Sequence, residues 1–145
     1  MLKNELIECL HAGHHSLVVD KGGIRSFSGR GVADLYRLLT EEAGFLCHAV
    51  VADKVIGKAA AALLVVSQVG EVYADVISVP ACELFKQAGI PVTYGEQVPH
   101  IINRSRTGWC PLEIKCHPCR TAEECVAEIK EFMKGNRTNQ TNTIK

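Results

Sequence analysis

The stretch ADKVIGKAAAALLVV, Ala52 to Val66, decides how the rest of the chain is read. It is the longest apolar run, yet it carries two lysines at its start. Asp53 is placed to cap a helix N-terminus, its carboxylate accepting the free backbone N–H groups of a first turn. The four alanines Ala59 to Ala62 leave that helix no polar face, so it is expected to lie buried, wedged between a sheet and its neighbours. Gly57 in a helix interior costs about 1 kcal/mol relative to alanine, which implies that a strand or a ligand packs close to the backbone there. Lys58, read as lying in the second turn, must reach solvent, meet a carboxylate or hold a site.

The composition sets bounds around this centre. With 145 residues, 47% of them hydrophobic, the chain has the size of one domain with one core. Sixteen Lys and Arg balance sixteen Asp and Glu, so no bulk charge points to nucleic acid or to an anionic membrane. The central run is too short to span a bilayer, and the opening MLKNELIECLHAG lacks the apolar centre of a signal peptide. The expectation is a cytoplasmic protein. Seven cysteines, an odd number spread along the chain, fit a reducing compartment better than a disulfide framework.

Before the centre, Leu2, Leu6, Ile7 and Leu10 mark an amphipathic helix that Gly13 can end, with His11, His14 and His15 at its C-terminus. Ser16 to Asp20 and Ile24 to Ser28 read as strands joined by Lys21-Gly22-Gly23, a hairpin signal. Val32 to Glu42 reads as a helix and Phe45 to Val51 as the next strand. After the centre, Glu71 to Ser78 alternates as a strand and leaves Asp75 in need of a partner, for which Lys58 is one candidate. Ser78 can cap a helix over Val79 to Ala88, with Pro80 in its first turn. Pro91 to Gly95 is a short strand, and Val98 to Glu113 is loop-rich. Thr121 to Glu124 is a capping box opening a helix to about Lys134, and a polar tail over 135–145 is expected to be disordered. The pattern predicts a single domain over 1–134: an α/β protein, a three-layer α/β/α sandwich with a mixed sheet. An exposed sheet edge would suit a homodimer.

The runs SLVVDKGGIRSFSGRGV, VADKVIGKAAAALLV, YADVIS, VPHIINRS and TGWCPLE, in this order and spacing, resemble the prokaryotic family called domain of unknown function 1893, from Ser16 to Glu113. The resemblance implies a cytidine-deaminase-like fold and brings no settled activity with it. Zinc deaminases hold their metal with H-x-E at one helix N-terminus and P-C-x-x-C at the next. The corresponding positions here are Gly57, Lys58, Ala59 and Ala60, with neither His nor Glu, and Pro80, Ala81, Cys82, Glu83 and Leu84, with one sulfur. A catalytic zinc normally has three protein ligands, so conventional zinc-dependent deamination is rejected.

Two helix N-termini facing one cleft would favour an anionic, nucleotide-like small molecule. Lys58, Cys82 and Asp53 are the candidate catalytic residues, with Asp75, Asn103, Arg104 and Glu113 as candidate ligand-binding residues. The competing readings are structural: a snorkelling lysine, a buried thiol and a surface ion pair for Arg104. A second constellation is Cys110, Cys116, Cys119 and Cys125, four thiols that could hold zinc or an iron–sulfur cluster. A redox-active Cys116/Cys119 pair and ordinary packed thiols remain open beside it. The alternative function is therefore a non-catalytic metal-binding or redox-responsive regulator.

Overall fold

The computed structural model describes the backbone of residues 2–13, 15–29, 32–102, 108 and 110–144. In chain order the elements are α1 (Leu2–Ala12), β1 (Leu17–Asp20), β2 (Ile24–Phe27), α2 (Ala33–Glu41), β3 (Val50–Ile56), α3 (Lys58–Val66), β4 (Glu71–Ser78), α4 (Val79–Ala88), β5 (Val92–Val98), α5 (Pro111–Cys116) and α6 (Ala122–Ile144). The strands form one mixed sheet in the order β2-β1-β3-β4-β5. β1 runs antiparallel to both β2 and β3, whereas β3, β4 and β5 are parallel.

The predicted hairpin forms because two glycines supply the turn: Gly22 has φ 71° and Gly23 φ 158°. Asp20 then pairs with Ile24, and Asp20 Oδ1 accepts the Gly23 N–H at 3.3 Å. The cap expected at Ser78 is present: its hydroxyl accepts the Ala81 N–H at 3.3 Å, and Gly89 closes α4 in the left-handed conformation at φ 73°. The capping box before α6 is half realised. Thr121 Oγ1 accepts the Glu124 N–H at 3.1 Å, while Glu124 reaches back to the Arg120 N–H at 2.7 Å, one residue earlier than the usual partner.

Strand alternation divides the core between two faces of the sheet. Val18 and Ala52 pack with Leu6 and Leu10 of α1 on one face. Their strand neighbours Leu17, Val19 and Val51 join the larger cluster on the other, with Leu35 and Leu38 of α2 and Phe85 of α4. α3 lies at the centre of that cluster, packed against α2, α4, α5 and α6. Six successive residues, Ala59 to Leu64, are buried, as expected of a helix without a polar face.

Besides β5, which runs on to Val98 past the expected Gly95, three boundaries differ from the sequence reading. The strand expected at Phe45 to Val51 begins at Val50, because residues 42–49 form a succession of turns, with Gly44 at φ 89° and His48 at φ 63°. The chain then stays extended through Ile56, so Asp53 is a strand residue and not a helix cap. Gly57 is the N-cap of α3 and Lys58 its first residue, one turn earlier in the helix than expected. The third difference is at the C-terminus, where α6 runs on to Ile144 past the stop expected near Lys134. No proline interrupts that segment.

Candidate functional site

β3 and β4 are parallel and each is followed by a helix, so α3 and α4 both begin at the C-terminal edge of the sheet. In open α/β sheets this edge is where ligands bind. A cavity of about 290 Å³ lies there, lined by Asp53, Val55, Gly57, Ile101, Cys110 and Glu113 among others.

Asp53 faces this cavity from the sheet. It pairs with Leu17, and Leu17 points into the helical core. The residue is 8% exposed, and its Oδ1 accepts the Val55 N–H at a long 3.3 Å. Among the described residues no side-chain donor hydrogen-bonds to it. Burial pushes its carboxyl up to about 7; the Val55 and Lys54 N–H groups pull it down, and the nearby charges of Asp34 and Asp75 push it up. A carboxyl poised near neutrality in a cavity can take or give a proton at physiological pH.

Glu113, 4% exposed, is the second buried carboxylate of the cavity. It comes from α5 and caps a different helix: Oε1 accepts the Lys58 N–H at 2.7 Å, and Oε2 accepts the Ile101 N–H at 2.9 Å. The His100 Nδ1 lies 3.9 Å from Oε2, and the His100 ring meets His117 edge-on at 5.7 Å. Gly57 is needed because Glu113 comes so close. A Cβ at residue 57 would sit 2.8 Å from Glu113 Oε1 and 3.0 Å from Ile101 Cγ1. The close packing inferred from Gly57 is therefore real, but the neighbours are a carboxylate and a loop side chain.

Lys58 returns the contact. Its Nζ donates to the carbonyls of His117, at 3.1 Å, and Cys119, at 2.6 Å, where the chain leaves α5. A cation there satisfies orphan carbonyls and complements the helix dipole. The ammonium is thus held by backbone oxygens, and its expected pairing with Asp75 does not occur. Asp75 is on β4 and meets His11 of α1, whose Nε2 lies 2.8 and 3.0 Å from its two oxygens. The Tyr73 hydroxyl donates to Asp75 at 2.8 Å, and burial followed by this bond raises the phenol to about 12.

The expected anion site at the α3 N-terminus is likewise occupied from within the chain. A phosphate there would have to displace a buried carboxylate. At the start of α4, Ser78 already takes one of the free N–H groups. Cys82 does not line the Asp53 cavity; its sulfur accepts from Gln97 Nε2 at 3.2 Å. Asn103 and Arg104 lie outside the described residues.

The four C-terminal cysteines divide. Cys110 is the N-cap residue of α5 and lines the cavity. Cys116 and Cys125 are fully buried, with the Cys116 thiol 3.9 Å from the Cys125 carbonyl; the Cys119 thiol lies 3.9 Å from the Lys115 carbonyl. Among the described residues no group of three His, Cys, Asp or Glu side chains is arranged to hold a metal ion. Cys110, Cys116, Cys119 and Cys125 are thus not gathered into one cluster among the described residues. Cys116 and burial push the Cys125 thiol far up, while burial and Cys125 raise Cys119 to about 11. Protonated thiols are poor ligands and poor nucleophiles.

Residues 5–133 match the family model described as Domain of unknown function (DUF1893). The chain belongs to the DUF1893 family. The match reaches beyond the resemblance read from Ser16 to Glu113, taking in α1 and all four C-terminal cysteines. A crystal structure of a DUF1893 family protein from Thermotoga maritima, at 2.70 Å resolution, is 24% identical, with a TM-score of 0.82 over 88% of this chain and 87% of that one. That likeness shows the fold. No curated protein matches the chain. Among the described residues no helix is long and apolar enough to cross a membrane.

Sequence reasoning found Asp53, Cys110 and Glu113, which the cavity brings together; it read the first as both a helix cap and a candidate catalytic residue, and the second as a candidate metal ligand. It missed Ile101, whose N–H fixes Glu113, and Val55, whose exposed side chain borders the opening. The signal for Asp53 was its place in VVADKVI, where it and Lys54 are the two charged residues of an otherwise apolar strand.

Proposed function

We propose that this chain binds a small molecule in the Asp53 cavity, on a cytidine-deaminase-like scaffold, and that binding is coupled to the protonation of Asp53. The strand order β2-β1-β3-β4-β5, with helices opening after β3 and β4 at one sheet edge, supports that scaffold. The observation that carries the reading is a buried carboxyl, bonded by no side-chain donor among the described residues, in a cavity of about 290 Å³. A buried polar group left this way has a large affinity in reserve for any ligand that completes its hydrogen bonding. Apolar walls with a few convergent polar groups are the usual make-up of a ligand pocket. The nucleotide-like ligand expected from the sequence fits here only as a compact heterocycle. Its phosphate would meet Glu113 at the α3 N-terminus.

The test is a panel of nucleosides, nucleobases and small heterocycles, read by thermal shift and then by amide chemical shifts of residues 53–60. Val55→Phe is the control. Val55 is 46% exposed, so an aromatic ring is tolerated on the strand while it fills the cavity mouth. Binding that Val55→Phe abolishes supports the reading. Binding untouched by that substitution, or no binding across the panel, defeats it.

A further inference from the structure

The charge around the cavity selects among ligands. Asp53 and Glu113 both line it, from β3 and α5. Asp34 of α2 is close enough to act on Asp53, and so is Asp75 of β4. Lys54 also contributes to the lining and brings one positive charge, so among the described lining residues two carboxyls stand against one ammonium. Cys110 adds a thiol and no charge of its own to the balance. Glu113 has both oxygens engaged by backbone N–H groups. Asp53, which also lines the cavity, meets only the backbone N–H groups of Val55 and Lys54 among the described residues.

We infer that the ligand of this cavity is a small organic cation, an amine, amidine or guanidine on an apolar body, whose charged head bonds to Asp53. The inference rests on the cavity being a binding site. The acidic surroundings that penalise a phosphate favour a cation, and the apolar remainder of the lining accepts its carbon skeleton. Burial of the pair excludes water, which strengthens the contact and makes a second charged ligand group unwelcome. Binding is coupled to a proton. Below neutrality Asp53 holds its proton, and the incoming cation displaces it to solvent, leaving carboxylate against ammonium or amidinium. Above neutrality the carboxylate is already formed and no proton is released.

The experiment titrates the full chain with benzamidine, and in parallel with neutral benzamide and anionic benzoate, following backbone amide shifts at about pH 6 and about pH 8. Benzamidine should perturb the amides of residues 53–58 and bind about tenfold more tightly at the higher pH, since a group titrating near 7 is then mostly ionised. Asp53→Asn should lose that pH dependence and most of the affinity. Benzamide or benzoate binding there as well as benzamidine overturns the cation while leaving the cavity a binding site. Benzamidine binding equally well to Asp53→Asn also overturns it. Silence from all three probes at these amides counts against the cation too, and the broader panel then decides the fate of the cavity.

Discussion

Asp53→Asn should flatten the pH dependence of stability, and the structure sets the size of the effect. The carboxyl titrates near 3.8 in an unfolded chain and near 7 in the folded one. The folded state holds the proton more tightly, so this contribution to stability is fully present below the unfolded value and is lost as pH rises through the folded one. Between about pH 5 and about pH 7 the unfolded carboxyl is already ionised while the folded one is still mostly protonated. Two pH units at about 1.36 kcal/mol each cost the folded state about 3 kcal/mol. Asparagine has nearly the same shape, keeps an acceptor for the Val55 N–H and does not titrate. Wild type should therefore lose about 3 kcal/mol more than the variant between about pH 5 and about pH 8. Every other ionisable group is common to the two proteins and drops out of the difference. Urea unfolding across this range gives the two curves. Parallel curves would refute the reasoning, because they would mean that Asp53 is solvated or paired and the cavity does not desolvate it.

The α3–α5 contact and the buried thiols give three further expectations. Glu113→Gln places an amide NH2 against one of two buried N–H donors and should cost about 2–3 kcal/mol, read as a lower urea midpoint at unchanged slope; a loss below about 0.5 kcal/mol would show that the bonds are not buried. Gly57→Ala should cost about 1–2 kcal/mol although φ is an ordinary −93°, since the new Cβ meets Glu113. Most of that cost should vanish in a Glu113→Ala background, and full additivity would refute the collision. Cys119, raised to about 11 from 9.0, should alkylate about tenfold more slowly in the folded protein than in urea, its roughly 100-fold smaller thiolate fraction being partly offset by the greater nucleophilicity of the more basic thiolate, measured by peptide mapping after iodoacetamide at about pH 8. Equal rates would show an exposed thiol.

What could be read from the sequence was what local pattern determines. The glycine turn at Gly22-Gly23, the Ser78 cap with Pro80, and the unbroken apolar surface of Ala59 to Leu64 each depend on residues within a few positions, and each gives the element it implies. The sheet order follows the alternation of strands and helices. The errors came where a charged residue interrupts an apolar run. Asp53-Lys54 looks like a helix start because acids cap helices, but its neighbours Val51, Ala52, Val55 and Ile56 keep the chain extended, and pairing with both β1 and β4 decides the conformation. α5 was invisible because six residues carry too little periodicity, and it is held by partners more than fifty positions away.

Those partners explain why the site changed sign. α3 is buried along its length, so the orphan N–H groups of its first turn cannot be left to water. An anionic ligand could have satisfied them, as the sequence suggests. Here Glu113 does so permanently, and Lys58, the first residue of the same helix, serves the carbonyls at the end of the helix that carries Glu113. Each helix end is closed by the other, with opposite charges meeting opposite dipoles. The basic residue that would have drawn a phosphate is thereby turned away, and an acidic one is brought to the cavity in its place. Asp53 is then the buried carboxyl that this arrangement leaves incomplete. A ligand that neutralises it would add what the described residues do not supply, whereas one that repeats the role of Glu113 would not.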